Sequence, residues 1–237
     1  MAISTCPTSF AKPMQNSATD RWQAVCAEID QACRAANRDP ESVTTIVVTK
    51  FHPASLVREL YAAGVRNVGE SRHQEAVDKH DQLRDLSLTW HFVGQLQSNK
   101  ARAVAEYCQV VHSIDRASVV SKLAAIDHRV DGFIEVNLTG DPGRGGVVPD
   151  ELAVLTEQVL QTPTLRLRGL MAVAPQDQEP AEAFERVREI QSSFLAIAPE
   201  ATDLSMGMSG DFVEAIAAGA THLRIGTAIT GKRPPAT

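Results

Sequence analysis

Short β-rich runs alternate with longer segments of helical period along most of this chain, and no other feature constrains its fold as strongly. The alternation begins after an amphipathic segment at residues 18–37 and is typical of successive parallel βαβ units. Eight strands are predicted, the second and the seventh from weak patterns. They cover residues 45–49, 66–69, 88–93, 110–114, 132–137, 167–173, 203–206 and 222–225.

Eight such units fit a chain of 237 residues and predict an α/β protein built as a single (β/α)₈ (TIM) barrel, with residues 18–37 as an extra N-terminal helix. A doubly wound open sheet has the same alternation, and the pattern alone separates the two architectures poorly. No Gly-x-Gly-x-x-Gly motif follows the first strand, which favours the barrel. We expect the barrel to cover residues 18–231, between a loose N-terminal segment, residues 1–17, and a loose tail, residues 232–237.

Charge and composition argue against several kinds of partner. The formal net charge of −6 gives no overall positive field that would attract nucleic acid or an anionic membrane. No apolar run approaches the roughly 20 residues that span a bilayer, and the N-terminus has no signal-peptide pattern, so we expect a cytoplasmic protein. The four cysteines form no C-x-x-C pair, which predicts free thiols and no metal site. No heptad seam or second domain is visible, which favours a monomer.

Lys50 directly follows the first predicted strand. In a parallel barrel, the carboxyl ends of the strands form the face that carries the active site. Partial desolvation at this mouth would favour the neutral amine, which condenses with an aldehyde to give an imine. The alternative is an ordinary solvated lysine in a loop, and the position of Lys50 alone does not exclude it.

Small and hydroxylic residues follow the seventh and eighth strands, as SMGMSGD at residues 205–211 and RIGTA at residues 224–228. Glycine lets backbone N–H groups approach an oxyanion, hydroxyl groups donate hydrogen bonds, and barrels commonly build a phosphate site from these two loops. The alternatives are local, with Ser209 capping the following helix and Gly226 closing a turn. The joint occurrence of both loops beside Lys50 favours the phosphate site.

Arg224 interrupts the apolar run of the eighth strand. If it points outward, its role is a structural ion pair. If it points inward, its guanidinium can meet the nitrogen of a heteroaromatic ring. Because arginine essentially never deprotonates, that nitrogen would stay unprotonated, and the ring would be a weaker electron sink than one that faces a carboxylate.

Two strings in the chain are especially specific, His-Phe-x-Gly-x-Leu-Gln-x-Asn-Lys at residues 91–100 and Ser-Met-Gly-Met-Ser at residues 205–209. Val-Thr-Lys at 48–50, Gly-Glu-Ser at 69–71 and Arg-Ile-Gly-Thr at 224–227 accompany them. With these strings, roughly residues 47–231 resemble the pyridoxal phosphate homeostasis proteins, also called the proline synthase co-transcribed family. That family is related to the barrel domain of alanine racemase.

The resemblance implies a barrel like the alanine racemase N-terminal domain, with pyridoxal 5'-phosphate (PLP) as cofactor, held as an imine on Lys50. It also implies that Arg224 faces the pyridine nitrogen. The phosphate is expected at Ser205, Ser209, Gly226 and Thr227. The remaining residues expected to bind the cofactor are Ser71, Asn137 and Met208. No residue is expected to act as a catalytic group.

Two positions depart from the family's usual pattern, because Ser71 stands where the family has Asn and Arg144 stands where it has Lys. Ser71 reaches less far toward a cofactor than Asn would. Asn137 opens a glycine-rich segment, residues 137–146, that looks like the family's flexible loop over the mouth. Arg144 is either a solvated loop charge or a partner of an anionic ligand, and both interpretations stay open. We interpret His91 as a satisfied core residue rather than a base.

The resemblance leaves two functions of different classes. In the first, the protein stores, buffers or delivers PLP to apo forms of PLP-dependent enzymes, without fast turnover of its own. In the second, it is a PLP-dependent amino-acid racemase. Related racemases use two bases, the lysine and a tyrosine from a second domain, whereas Tyr61 and Tyr107 fall in predicted helical stretches, which favours the first. A third interpretation, an imine-forming aldolase or phosphate-sugar isomerase, would be excluded by a yellow purified protein.

Overall fold

A computed structural model describes residues 17–141 and 143–233, and these residues form the (β/α)₈ barrel that the alternation predicts. Eight parallel strands close in sequence order, and the last strand pairs with the first, so an open doubly wound sheet is excluded. No strand end lies more than two residues from its predicted position. The strands are β1 (Thr44–Val48), β2 (Asn67–Glu70), β3 (Thr89–Phe92), β4 (Val110–Ile114), β5 (Val130–Val136), β6 (Leu165–Ala172), β7 (Asp203–Ser205) and β8 (His222–Ile225).

Helices follow the strands around the outside of the barrel, as right-handed βαβ connections require. They are α1 (Ala18–Ala35), α2 (Ala54–Ala62), α3 (His73–Gln82), α4 (Ala101–Ala105), α5 (Ala117–Leu123), α6 (Pro149–Leu160), α7 (Pro180–Phe194), α8 (Phe212–Ala217) and α9 (Thr227–Thr230). Between β3 and β4 the chain forms a 3₁₀ turn, Ser98–Lys100, followed by the short α4. Most of the expected loose ends, residues 1–16 and 234–237, lies outside the described residues.

Helix α1 takes the place in the outer ring that would belong to a helix after β8. The helix that follows β8, α9, has only four residues, and α1 packs against α9, α8 and α2. Ser17 and Asp20 form a capping box that starts α1, and the Trp22 indole donates to the carbonyl of Ala63 at 3.2 Å. The extra N-terminal helix therefore covers the side of the barrel where β8 meets β1.

Polar side chains occupy part of the interior of the barrel, where His91, His112, Ser205 and Arg224 are buried and joined by hydrogen bonds. A small apolar cluster formed by Val110, Phe133 and Met171 is separate from the large core between strands and helices. The ring of His112 stacks on Phe133, with 4.6 Å between centroids and 11° between planes. Interior layers in such barrels are usually filled by branched aliphatic side chains, so this polar layer calls for a physical explanation.

The pairing of β7 with β8 is the shortest in the barrel. It consists of one register pair, Ser205 with His222, whereas β1 and β8 share four pairs. Two backbone hydrogen bonds continue it beyond β7, from Met206 N–H to the carbonyl of His222 and from Arg224 N–H to the carbonyl of Gly207. Closure at this seam therefore depends on the loop after β7.

Within the described part of the chain, none of the helices combines the length and the hydrophobicity needed to cross a membrane.

Candidate functional site

A cavity of about 380 Å³ opens at the carboxyl ends of the strands, a volume within the usual range for small-molecule sites. Seven of the nine residues expected from the sequence line it, on the loops after β1, β2, β7 and β8 and on β8 itself. The lining residues are Val48, Lys50, Ser71, Val93, Gly94, Val173, Met208, Ser209, Gly210, Arg224, Gly226 and Thr227. Ser205 and Asn137 are not among them.

Lys50 lies two residues beyond the end of β1, where the chain turns away from the barrel. Its side chain is exposed, so the expectation of partial desolvation is wrong. The next residue, Phe51, has φ = +68°, a conformation that is uncommon for a bulky residue and that clusters at functional sites. The backbone therefore leaves its usual conformation directly beside the lysine.

Three cations surround the ring of Phe51 at the mouth of the barrel. Lys50 Nζ lies 5.9 Å from the ring centroid, and the guanidinium carbons of Arg72 and Arg233 lie 5.0 and 3.9 Å from it. Although the chain is acidic overall, this rim is locally positive, which favours an anionic ligand. The sequence reasoning missed Arg72 and Arg233, because neither belongs to a strand-end pattern.

A buried ionic network holds the backbone on both sides of Lys50. Lys79 Nζ, on α3, donates to the carbonyl of Thr49 at 2.8 Å and to Glu70 Oε1 at 2.5 Å, and lies 3.4 Å from Glu75 Oε1. Glu75 Oε1 also accepts a hydrogen bond from the Phe51 N–H. We call Glu70, Glu75 and Lys79 the α3 clamp. The sequence reasoning missed Lys79, although its spacing of four residues from Glu75 is a helical ion-pair signal.

Arg224 is buried and points into the barrel, which excludes the outward ion pair. Its Nη1 donates to the carbonyl and to the hydroxyl of Ser205 at 2.7 and 2.8 Å, and its Nη2 donates to the carbonyl of Ala172 at 2.9 Å. Burial lowers the pKa of Arg224 to about 10, so the guanidinium remains charged at neutral pH. Among the described residues, its Nε–H has no hydrogen-bond partner, and the side chain lines the cavity.

A chain of hydrogen bonds leads from Arg224 through the interior of the barrel. His112 Nδ1 lies 2.8 Å from Ser205 Oγ, His112 Nε2 lies 2.9 Å from His91 Nδ1, and His91 Nε2 lies 3.1 Å from Asn67 Oδ1. Burial lowers the pKa of His91 to about 3 and the pKa of His112 well below its ordinary value, so both rings are neutral.

These distances fix the direction of the chain, because each neutral ring carries one N–H. Asn67 Oδ1 accepts from His91, whose Nδ1 must then accept from His112. The Nδ1 of His112 therefore accepts from the Ser205 hydroxyl, which accepts in turn from Arg224. We call these five residues the histidine chain. His91 is a satisfied core residue, as expected, whereas His112 was missed.

Ser205 and Asn137 support neighbouring parts of the site instead of lining the cavity. Ser205 is fully buried and its hydroxyl holds Arg224. Asn137 is also buried. Its Nδ2 donates to the carbonyls of Asp141 and Arg144, and its Oδ1 accepts from Thr139 and Gly140. Asn137 thereby organises the loop after β5.

A smaller pocket of about 200 Å³ adjoins the cavity beside that loop, and Glu135 and Arg144 line it. Burial and the nearby Asp115 raise the pKa of Glu135 to about 7. Arg144 is exposed and forms no ion pair with any described residue, which leaves both interpretations of it open.

Ser209 joins the loops after β7 and β8. Its hydroxyl accepts from the Ala228 N–H at 3.3 Å, whereas the N-cap of α8 is Asp211, so Ser209 does not cap the following helix. Among the described residues, the Ser209 N–H, the Gly210 N–H and the Thr227 hydroxyl have no hydrogen-bond partner. The cavity thus offers free donors of the kind that an oxyanion accepts.

Ser71 lies against the loop after β3. A Cβ atom on Gly94 would stand 2.5 Å from the carbonyl of Ser71, so the close approach of the two loops requires glycine there. The Ser71 hydroxyl has no partner among the described residues and lines the cavity.

The fold and the site together define a class, a (β/α)₈ barrel of the alanine racemase N-terminal type with a lysine just beyond its first strand. Residues 22–234 match the family described as the alanine racemase N-terminal domain. The chain is 44% identical over 218 residues to the pyridoxal phosphate homeostasis protein of Pseudomonas aeruginosa, which covers 88% of this chain and 93% of that protein.

The corresponding protein of Escherichia coli is 39% identical over 218 residues, covering 87% of this chain and 92% of the relative. A solved structure of PipY from Synechococcus elongatus, with PLP bound, is 38% identical and superposes with a TM-score of 0.76, covering 87% of this chain and 100% of PipY. The chain belongs to the pyridoxal phosphate homeostasis protein family, and the resemblance inferred from its motif strings is confirmed.

Proposed function

We propose that this protein binds PLP covalently through Lys50 and stores, buffers or delivers it in the cytoplasm, without a fast reaction of its own. One observation carries the proposal. A single cavity brings together an amine, a buried guanidinium and unpaired hydrogen-bond donors, on Lys50, Arg224 and the Ser209 and Thr227 loops. The related PipY, whose structure holds PLP, and the naming of the curated relatives support the choice of ligand.

The residues present fit the three functional groups of PLP. The amine of Lys50 suits the aldehyde, and the always-charged Arg224 suits an unprotonated pyridine nitrogen. The N–H groups of Ser209 and Gly210 and the hydroxyl of Thr227 suit the phosphate, with Gly226 leaving room for it. When bound, PLP supplies an aldehyde that an amine captures and a ring that withdraws electrons.

The cavity lining favours binding over turnover. Lys50 is the only proton-transfer group among the described lining residues, which include no tyrosine, histidine or carboxylate. Racemisation asks for one base on each face of the reacting carbon. Tyr61 lies in α2 and Tyr107 is buried beyond α4, so neither supplies the second base here.

Borohydride reduction tests the proposal directly. The purified protein should be yellow, and reduction should fix the cofactor on Lys50, which peptide mass spectrometry would locate. Lys50→Ala should lose the adduct, whereas Lys122→Ala, an exposed lysine on α5, should retain it. A reducible adduct at one other lysine in Lys50→Ala would overturn the assignment.

Delivery and oligomeric state need separate measurements. We propose that a monomer passes PLP to apo forms of PLP-dependent enzymes. Light scattering should give the mass of one chain. Loaded protein should activate an apo-enzyme in the presence of a trap that consumes free PLP, and activation only without the trap would reduce the role to storage and buffering.

A further inference from the structure

The α3 clamp holds both peptide groups that flank Lys50. Lys79 donates to the carbonyl of Thr49 at 2.8 Å, and Glu75 accepts from the N–H of Phe51. The Thr49 hydroxyl also donates to Glu70 Oε1 at 2.6 Å. One helix thus fixes the chain immediately before and immediately after the lysine.

Burying the charged groups of the α3 clamp costs desolvation free energy. Lys79 is 3% exposed and Glu70 is fully buried, and Glu70 Oε2 has no hydrogen-bond partner among the described residues. A buried ion pair is weak evidence for stability, because desolvation offsets the attraction between the charges and apolar side chains of similar size often do as well. The buried charges therefore need a reason other than packing.

Backbone conformation supplies that reason. Phe51 has φ = +68°, which a bulky residue adopts only where its surroundings hold it. Glu75 binds the N–H of this residue, and Lys79 binds the carbonyl two residues earlier. Between these two anchor points, the direction in which the Lys50 side chain leaves the backbone is fixed.

We propose that Glu70, Glu75 and Lys79 are positioning residues that aim the Lys50 amine at the aldehyde carbon of a ligand in the cavity. The inference rests on the proposed function of Lys50. The amine and the aldehyde form a C=N bond and release water, and the clamp holds the nitrogen where this bond can form. A misplacement of about 1 Å at a reacting group costs up to about a hundredfold in rate.

The experiment separates covalent capture from ordinary binding by means of two ligands. PLP carries the aldehyde, whereas 4'-deoxypyridoxine 5'-phosphate has the same ring and phosphate without it. Glu75→Ala removes the acceptor for the Phe51 N–H, and Glu75→Gln retains an oxygen there. Glu75→Ala should weaken PLP binding about tenfold and slow adduct formation, whereas its affinity for the deoxy analogue should change less than about twofold. Glu75→Gln should restore the PLP affinity and the rate of adduct formation.

Lys79 and Glu70 are replaced together, because removing either alone leaves an unpaired buried charge. The double variant Glu70→Gln, Lys79→Met should likewise bind PLP more weakly, with little change in its affinity for the deoxy analogue. Asp85→Asn is the matched control, since it breaks the exposed Arg58–Asp85 ion pair and should change neither affinity.

A readout without PLP completes the test. In the apoprotein, formaldehyde with cyanoborohydride methylates accessible amines, and peptide mass spectrometry gives the rate at each lysine. The rate at Lys50 should change in Glu75→Ala while the rate at Lys122 stays constant. The inference would be overturned if Glu75→Ala and the double variant both kept the wild-type affinity for PLP. It would also be overturned if they bound PLP and the deoxy analogue equally more weakly. If the wild-type protein forms no reducible adduct at all, the proposed function fails instead.

Discussion

Replacing His112 with phenylalanine tests whether the histidine chain holds Arg224 in place. The variant retains the aromatic stacking on Phe133 and loses the hydrogen bonds to Ser205 and His91, at 2.8 and 2.9 Å. His91 Nδ1 loses its donor, and the Ser205 hydroxyl, which still accepts from Arg224, loses the acceptor for its proton. Each unsatisfied group costs about 1–3 kcal/mol. The expected loss in the free energy of unfolding is therefore about 2–6 kcal/mol. In a chain of this size, each kcal/mol lost lowers Tm by about 2–4 °C.

The assay is urea unfolding of the apoprotein, arranged as a double-mutant cycle with Ser205→Ala. In the His112→Phe background, Ser205→Ala removes a hydroxyl that has already lost its bond to His112 and keeps only the one from Arg224. The two losses should therefore fall short of additivity by about 0.5–3 kcal/mol. PLP affinity should fall with His112→Phe because the Ser205 hydroxyl that contacts Arg224 is no longer oriented by His112. Strict additivity, or a His112→Phe protein within about 0.5 kcal/mol of wild type, would refute the hydrogen-bond argument.

Three further expectations follow from the site. Ser209→Ala and Thr227→Val should each weaken PLP binding by about 1.5–3 kcal/mol without abolishing the adduct, because each removes a hydroxyl whose proton has no acceptor among the described residues. Unchanged titrations for both variants would move the phosphate elsewhere. Wild-type protein mixed with L-alanine in deuterated water should give alanine with little α-deuterium by NMR and no D-enantiomer. Arg224→Glu should raise the slow rate of α-proton exchange. Fast racemisation by the wild-type protein would favour the enzyme hypothesis. Because burial keeps His91 neutral to about pH 3, the unfolded chain binds more protons than the folded chain below about pH 6.5, and stability falls as pH is lowered through that window. The stability difference between wild type and His91→Gln should therefore narrow by about 2 kcal/mol from pH 7 to pH 5, and a constant difference would contradict the assignment of a neutral His91.

Most of the strands could be predicted because they are short apolar runs between helical segments, a signal that depends on neighbouring residues alone. β2 and β7, which contain more polar residues, gave only weak patterns. The role of α3 in the site was not predicted, since its sequence is mostly polar and one of its two buried residues is Lys79. Lys79 is buried where it donates to the carbonyl of Thr49, beside Lys50. That partnership spans 30 residues and leaves no periodic signal.

Contacts between residues distant in sequence also limited the prediction of the site. The rule that barrel sites lie at strand ends gave most of the cavity lining, but sequence position does not tell which way a strand-end side chain points. Ser205 ends β7 and turns into the barrel, so it supports Arg224 and does not reach the cavity. His112 was missed because its partners, His91 and Ser205, lie 21 and 93 residues away.

The short pairing between β7 and β8 links occupancy of the cavity to the lifetime of the protein. Ser209 and Thr227 lie on opposite sides of this seam, and a ligand that binds both cross-links the part of the wall with the least backbone pairing. At a ligand concentration one hundred times Kd, that cross-link adds about 2.7 kcal/mol against opening. Amide hydrogen exchange in β7 should slow accordingly when PLP is added. In a cell, empty molecules would open more often than filled ones and meet proteases first, so the amount of this protein would rise and fall with the supply of its ligand.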